Sequence, residues 1–184
     1  LLDGVLLKPV TPGLLAETLG RALGPRERRT ADQRTLPPPR APRLPGVRLL
    51  VVEDNPINQQ LAQELLEQEG AVVTIAGDGL VALERIKAEG ADAFDLALLD
   101  LQMPGMDGYE TARRVRADPA TAKLPLIAMT AHAMIEERER CLAAGMNDHI
   151  SKPVDPDVMV SKISRCLGAA VLARAAERPP VKHA

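Results

Sequence analysis

From Val47 onward the chain alternates between two hydrophobic rhythms. Short runs of consecutive apolar residues, suited to strands buried on both faces, are separated by stretches whose apolar positions recur every three or four residues. The runs predict five strands: Val47 to Val52, Val72 to Ala76, Leu96 to Leu99, Leu126 to Met129, and a short one about His149-Ile150. Each of the first four is followed by room for a crossover helix, and the last by a closing helix. Repeated strand-helix units of this kind predict an α/β fold around a parallel sheet.

The helices can be placed from their caps and stripes. The first has Asn55 as N-cap and Pro56 in its first turn, then Ile57, Leu61 and Leu65 at four-residue spacing, and ends before Gly70. A second is expected over about Gly79 to Ala88, with Leu80, Leu83 and Lys87 in one stripe and Gly90 stopping it. A third runs from about Tyr109 to Ala117. The fourth, Ala133 to Ala144, carries Met134, Ile135, Arg138 and Leu142, with Gly145 at its end. The last runs from about Pro156 to Leu167, with Val160, Ile163 and Leu167 facing inward.

Before Val47 the chain has a different character. Residues 25–46 hold Arg26, Arg28, Arg29, Arg34, Pro37-Pro38-Pro39, Arg40, Pro42 and Pro45, a composition that favours an extended, semi-stiff linker. Residues 47–168 then form the domain, and 169–184 the end of the last helix and a tail. In residues 1–24, Val5-Leu6-Leu7-Lys8-Pro9-Val10-Thr11-Pro12 echoes Ile150-Ser151-Lys152-Pro153-Val154-Asp155-Pro156. Leu14-Leu15, Leu19 and Leu23 supply a following apolar stripe. A strand and helix without the rest of their sheet cannot fold alone; such a piece would dock on the domain, dock on a second copy in a homodimer, or be disordered.

Composition narrows the picture further. A 184-residue chain that is 46% hydrophobic can build one core of ordinary size, and because it is 1% aromatic that core must be packed by Leu, Val, Ile, Ala and Met. A formal net charge of −2 gives no electrostatic case for nucleic acid or an anionic membrane. The 2 cysteines, Cys141 and Cys166, form neither a disulfide framework nor a metal motif, which suits a reducing cytoplasm. No apolar run approaches the roughly 18 residues that span a bilayer, and Leu1-Leu2-Asp3-Gly4 is not a signal peptide. With no initiator Met, the chain reads as a fragment.

The chemistry lies at the strand ends. Glu53 and Asp54 follow the first strand, Asp100 ends the third and Lys152 follows the fifth. In a parallel sheet all carboxyl ends open on one edge, so these charges converge in one crevice. Carboxylates packed that closely repel one another and imply an oxygen-preferring cation, Mg2+ above all. Asp100 is then a candidate nucleophile toward a phosphoryl group, with Lys152 neutralising charge on the transferring oxygens.

Taken with the Met103-Pro104-Gly105 turn, Thr130-Ala131 and Lys152-Pro153, these segments resemble the receiver domain of two-component signalling across roughly Val47 to Gly168. The resemblance implies a flavodoxin-like, CheY-like doubly wound sheet in the order 2-1-3-4-5. It implies that Asp100 is phosphorylated, that Asp54 and Asp100 bind Mg2+ directly with the backbone carbonyl of Gln102, and that Glu53 acts mostly through water. Thr130 and Lys152 would contact the phosphoryl oxygens, and the Lys152-Pro153 bond is a candidate for cis. At the switch position, where the family usually carries an aromatic residue, this chain has His149; a histidine there adds pH sensitivity.

The echo and stripe in residues 1–24 read as the closing strand and helix of a preceding receiver-like domain, and together with Asn55-Pro56-Ile57-Asn58-Gln59 and Thr130-Ala131-His132-Ala133 they resemble hybrid sensor histidine kinases with tandem receivers. The implied partners are a histidine kinase domain and a histidine phosphotransfer domain. The fragment itself would hold no kinase domain while catalysing its own aspartyl phosphorylation and dephosphorylation, in a parent that is free or membrane-anchored. A rival reading is a phosphorylation-silent receiver retained for dimerisation or allosteric binding. A phosphatase of the haloacid dehalogenase type would need Asp at 102, where Gln stands. Neither His132 nor His183 lies in a recognisable phosphotransfer helix, and the six methionines read as loop and core packing.

Overall fold

The computed structural model describes residues 41–131 and 135–178. The strands are β1 (Arg48–Val52), β2 (Val72–Ala76), β3 (Leu96–Asp100), β4 (Leu126–Thr130) and β5 (Asp148–Ser151). The helices are α1 (Pro56–Gln68), α2 (Gly79–Glu89), α3 (Gly108–Ala117), α4 (Ile135–Ala143) and α5 (Pro156–Ala176). The five strands pair in parallel in the order β2-β1-β3-β4-β5, the expected doubly wound arrangement.

Alternate side chains of each strand feed two separate cores, as the twofold strand period requires. Leu50 and Val52 of β1 pack with Ala82 and Ile86 of α2, Val115 of α3 and Cys141 of α4. Leu49 and Val51 face the other way, onto Leu66 of α1 and Met159, Val160 and Ile163 of α5. β3 and β4 are buried along their whole length, which accounts for their continuous apolar runs.

Three predicted stripes turn partly away from the core: Ile135 and Leu142 of α4 are exposed, and although Leu65 of α1 and Leu83 of α2 pack against it, the rest of their stripes does not. Ile57 and Leu61 of α1 are 77% and 52% exposed, and Leu80 of α2 is 55% exposed. The buried residues are instead Leu66 in α1, and Gly79, Ala82 and Ile86 in α2. A four-residue repeat marks one helical line, but small residues beside it can sit closer to the sheet. The α5 stripe of Val160, Ile163 and Leu167 does face the core.

The folded unit extends past the expected N-terminal boundary, and at the C-terminal side it takes in the helix end expected after residue 168. Residues 41–46, expected in the linker, pack onto the domain. Leu44 is wholly buried, its N–H donates to the carbonyl of Glu69 at 2.8 Å, and Arg43 pairs with Glu69 and Asp157. One leucine among prolines and arginines does not alter the average composition from which the linker was read. At the other end, Gly168 takes φ +71°, a left-handed conformation that breaks α5, and the chain then turns helical again to Ala176. That second segment buries Ala175, and Arg178 just beyond it pairs with the buried Asp95. Burial alone would raise the Asp95 pKa, but hydrogen bonds from Arg178 and Arg48 hold it below the ordinary carboxylate value.

The expectations for residues 1–24 and for residues 25–40 of the linker lie outside the described residues, as do His132, Ala133 and Met134, the last two from the fourth expected helix, and residues 179–184 of the tail with His183.

If Leu44 belongs to the core, Leu44→Ala costs about 2–5 kcal/mol of stability. Urea unfolding followed by circular dichroism measures it. A loss under about 0.5 kcal/mol, the range of ordinary surface substitutions, would return Leu44 to the linker.

Candidate functional site

The sheet register fixes the site. Val52 of β1 pairs with Leu99 of β3, so Glu53, the next residue, stands level with Asp100. Asp100 pairs with Met129 of β4, which puts Thr130 one step further out, opposite Ser151 of β5. The N–H of Lys152 then donates to the Thr130 carbonyl at 2.7 Å, carrying the pairing one residue past the strand. Four chain segments distant in sequence thus end together on one edge.

There the carboxylates of Glu53, Asp54 and Asp100 each offer an oxygen within 4.8 Å of the others. Glu53 and Asp100 are buried while Asp54 is exposed, so the cluster has an open side. At an effective dielectric of about 20, two unit charges about 5 Å apart repel by roughly 3 kcal/mol, so three cannot be held together without compensation. Lys152 provides part of it, its Nζ lying 2.7 Å from Glu53 Oε2 and 2.7 Å from Asp100 Oδ2. Burial by itself would lower the Lys152 pKa. The hydrogen bonds to Asp100 and then Glu53 outweigh it and hold the ammonium above its ordinary value of 10.5.

Three carboxylates against this ammonium leave two formal negative charges and a set of hard oxygen donors. That donor set fits a divalent cation such as Mg2+. Asp54 stands at the open side, and the Gln102 N–H donates to Asp100 Oδ1 at 3.1 Å. The loop after β3 returns closely over Asp100: a Cβ at Gly108 would lie 2.3 Å from the Asp100 carbonyl oxygen, so only glycine fits there. Thr130 is buried at the end of β4 beside these groups, and the Lys152–Pro153 peptide bond is cis.

The sequence motif around Asn55 caps α1 as expected, and it has a further structural use that its residue types alone did not disclose. Asn55 Oδ1 accepts from the Ile57 N–H at 2.9 Å and caps α1. Asn58 Nδ2 donates to Glu53 Oε1 at 2.9 Å, the Asn55 N–H reaches the same oxygen at 3.3 Å, and Gln59 Nε2 donates to the Glu53 carbonyl at 2.6 Å. Three amides spaced two, five and six residues after an acidic strand end were the available signal.

His149 does not join the acidic cluster. Its side chain is 15% exposed, its Nδ1 lies 3.6 Å from Asp148 Oδ1, and that nitrogen has no hydrogen-bond partner among the described residues. Burial and, after it, the Lys162 charge push its pKa below 6.5, against the pull of Asp148 on β5; Arg138 and Glu137 on α4 act in opposite directions.

A model of the response regulator receiver domain matches residues 49–164. Sensor protein GacS of Pseudomonas syringae pv. syringae is 38% identical over 174 residues, covering 93% of this chain and 18% of that protein. Signal transduction histidine-protein kinase BarA of Escherichia coli (strain K12) is 36% identical over 158 residues, covering 84% of this chain and 16% of that protein. The chain therefore spans less than a fifth of these relatives' length. Among solved structures, the receiver domain of sensor histidine kinase PA1611 from Pseudomonas aeruginosa PAO1, with a magnesium ion coordinated in the active site cleft, is 36% identical with a TM-score of 0.61, covering 67% of this chain and 99% of that one. The receiver domain of Ssk1 in complex with the histidine phosphotransfer protein Ypd1, from Saccharomyces cerevisiae, gives 28% identity and a TM-score of 0.59 over 67% of this chain and 90% of that one.

The lowered His149 pKa has a definite sign. The unfolded chain binds the proton more readily than the folded one, so this residue's contribution is lost as pH falls through 6.5 toward the lower folded value. Wild type should lose more stability than His149→Phe between about pH 7.5 and about pH 5, measured by urea unfolding at each pH. Parallel profiles would contradict the assignment.

Proposed function

This chain belongs to the response regulator receiver domain family, and on that premise we propose that it accepts a phosphoryl group on Asp100 within a two-component phosphorelay. The observation that carries the reading is Lys152 held between Asp100 and Glu53, with Asp54 open to solvent beside them. A carboxylate oxygen of Asp100 attacks phosphorus in line as the P–N bond of a phosphohistidine breaks, and the imidazole leaves with the electron pair. The product is an acyl phosphate.

Lys152 is already within hydrogen-bond reach of the acceptor carboxylate, so it can follow charge onto the transferred oxygens without a large movement. The Thr130 hydroxyl, buried at the neighbouring strand end, is assigned to a second phosphoryl oxygen. Asp54, Asp100 and the Gln102 carbonyl are assigned to Mg2+, with Glu53 acting through water. When bound, the ion neutralises charge shared between the acceptor carboxylate and the phosphoryl group. Phosphorylation then replaces the single negative charge of Asp100 with about −1.5 to −2 on the phosphoryl group, and that change biases the surface of α4 and β5, where His149 lies, between two states.

The phosphoryl donor is assigned to a histidine kinase domain, and the recipient to a histidine phosphotransfer domain. The relatives that are sensor kinases and the Ypd1 complex of the Ssk1 receiver support those partner classes. So does the surface, since Ile57 and Leu61 form an exposed apolar pair on α1, whose first turn adjoins the acidic cluster. An apolar pair there suits the face of a helix that presents a histidine to Asp100. The parent is read as a hybrid sensor kinase, with residues 1–24 closing an upstream receiver-like domain and the present domain in the cytoplasm. Among the described residues no helix is long and apolar enough to cross a membrane.

Rapid-quench transfer from a phosphorylated histidine phosphotransfer domain tests the relay. Wild type should become labelled and Asp100→Ala should not. Ile57→Asp should slow transfer from that domain by roughly ten-fold or more, a loss of about 1.4 kcal/mol, while leaving labelling by phosphoramidate intact. Absence of transfer in either direction would overturn the relay and favour a phosphorylation-silent module.

A further inference from the structure

Glu53 occupies a position that must satisfy two demands. Its carboxylate has to keep its negative charge beside a cation site, and it has to hold one orientation while buried. Glutamate meets the second demand poorly, because the torsion about its last carbon–carbon bond is broad and the side chain carries one more freely rotating bond than aspartate. Lys152 secures only Oε2. The other oxygen, Oε1, is held by the Asn58 amide at 2.9 Å and by a longer contact from the Asn55 N–H at 3.3 Å.

We propose that Asn58 is a positioning residue for the metal site, fixing the carboxylate plane of Glu53 without neutralising it. An amide donor suits this task in a way that a cation does not. A lysine or arginine at 58 would also orient Oε1, but it would cancel one of the two negative charges that Lys152 leaves for the divalent ion. The rest of the turn is built to deliver that amide. Asn55 sets the first residue of α1 through its cap, and Gln59 ties the Glu53 carbonyl to the same helical turn at 2.6 Å. Asn58 therefore stands at a fixed height beside the end of β1. Without it, Oε1 keeps only the longer backbone contact. Glu53 can then rotate, releasing Lys152 to pair with Asp100 alone and occupy the acceptor that the cation needs.

This inference rests on reading the acidic cluster as a metal site, and the test separates the two. Mg2+ alone is titrated into the full chain, with amide NMR shifts reporting the dissociation constant, so the readout does not depend on phosphorylation. Asn58→Leu should weaken Mg2+ by roughly ten-fold, the scale of groups that orient metal-site carboxylates, with an unchanged urea midpoint in the presence of chelator. In a Glu53→Ala background the same substitution should change the dissociation constant less than about two-fold, because its effect passes through Glu53. Asn58→Ala, which preserves helix propensity, gives the same comparison if the leucine variant does not fold. Unchanged affinity in Asn58→Leu, or equal losses in the two backgrounds, would overturn the role of Asn58 while leaving the metal site standing. Failure of wild type to bind Mg2+ would overturn both.

Discussion

Glu53, Asp54 and Asp100 repel one another, yet the sheet register leaves them together at one edge. What surrounds them follows from that conflict. Lys152 spans two of the three carboxylates with bonds of 2.7 Å, the Gln102 N–H steadies Asp100, and Asn58 steadies Glu53. None of these donors removes all of the negative charge. A site that stays net negative, with one carboxylate facing solvent, is suited to a divalent cation and to a phosphoryl group arriving with its own charge. The electrostatic strain in the resting site is thus the same property that makes it reactive.

The fold contributes precision of placement more than chemistry. Parallel pairing sets Glu53 level with Asp100 and Thr130 one step beyond it, while Lys152 is carried past β5 by its bond to the Thr130 carbonyl. Two separate cores hold that edge from opposite faces, so a shift of any one strand would disturb packing on both sides. The opposite end of the sheet is fastened as well, through Leu44 near α1 and the Arg178–Asp95 pair after α5. Those fastenings lie far from the chemistry in sequence and keep the framework that aims it rigid.

Strand identity was legible because β3 and β4 are buried throughout and their apolar runs are unbroken. The charged residues that follow the runs were legible for the same reason: a carboxylate or ammonium at a strand end is conspicuous against valine and leucine. Helix faces were less so. Ile57, Leu61 and Leu80 share the hydrophobic character of core residues, yet they face solvent, because α1 buries Leu66 on another side and α2 approaches the sheet through Gly79 and Ala82. The domain edges were hidden for a different reason. Leu44 is a single residue in a Pro/Arg-rich stretch, and Ala175 lies beyond Gly168, past the apolar stripe from which the last helix was placed. The part played by Asn58 depends on where its amide points, which residue type does not disclose.

The central claim is that Asp100 is a nucleophile toward phosphorus in a site that needs a divalent cation. Intact mass spectrometry after incubation with phosphoramidate and Mg2+ addresses it most directly, comparing wild type, Asp100→Ala and wild type with chelator. The account predicts the gain of a single phosphoryl group by wild type with Mg2+ and none in the other two samples. A gain that persists in Asp100→Ala or in chelator, or no gain in wild type, would contradict it.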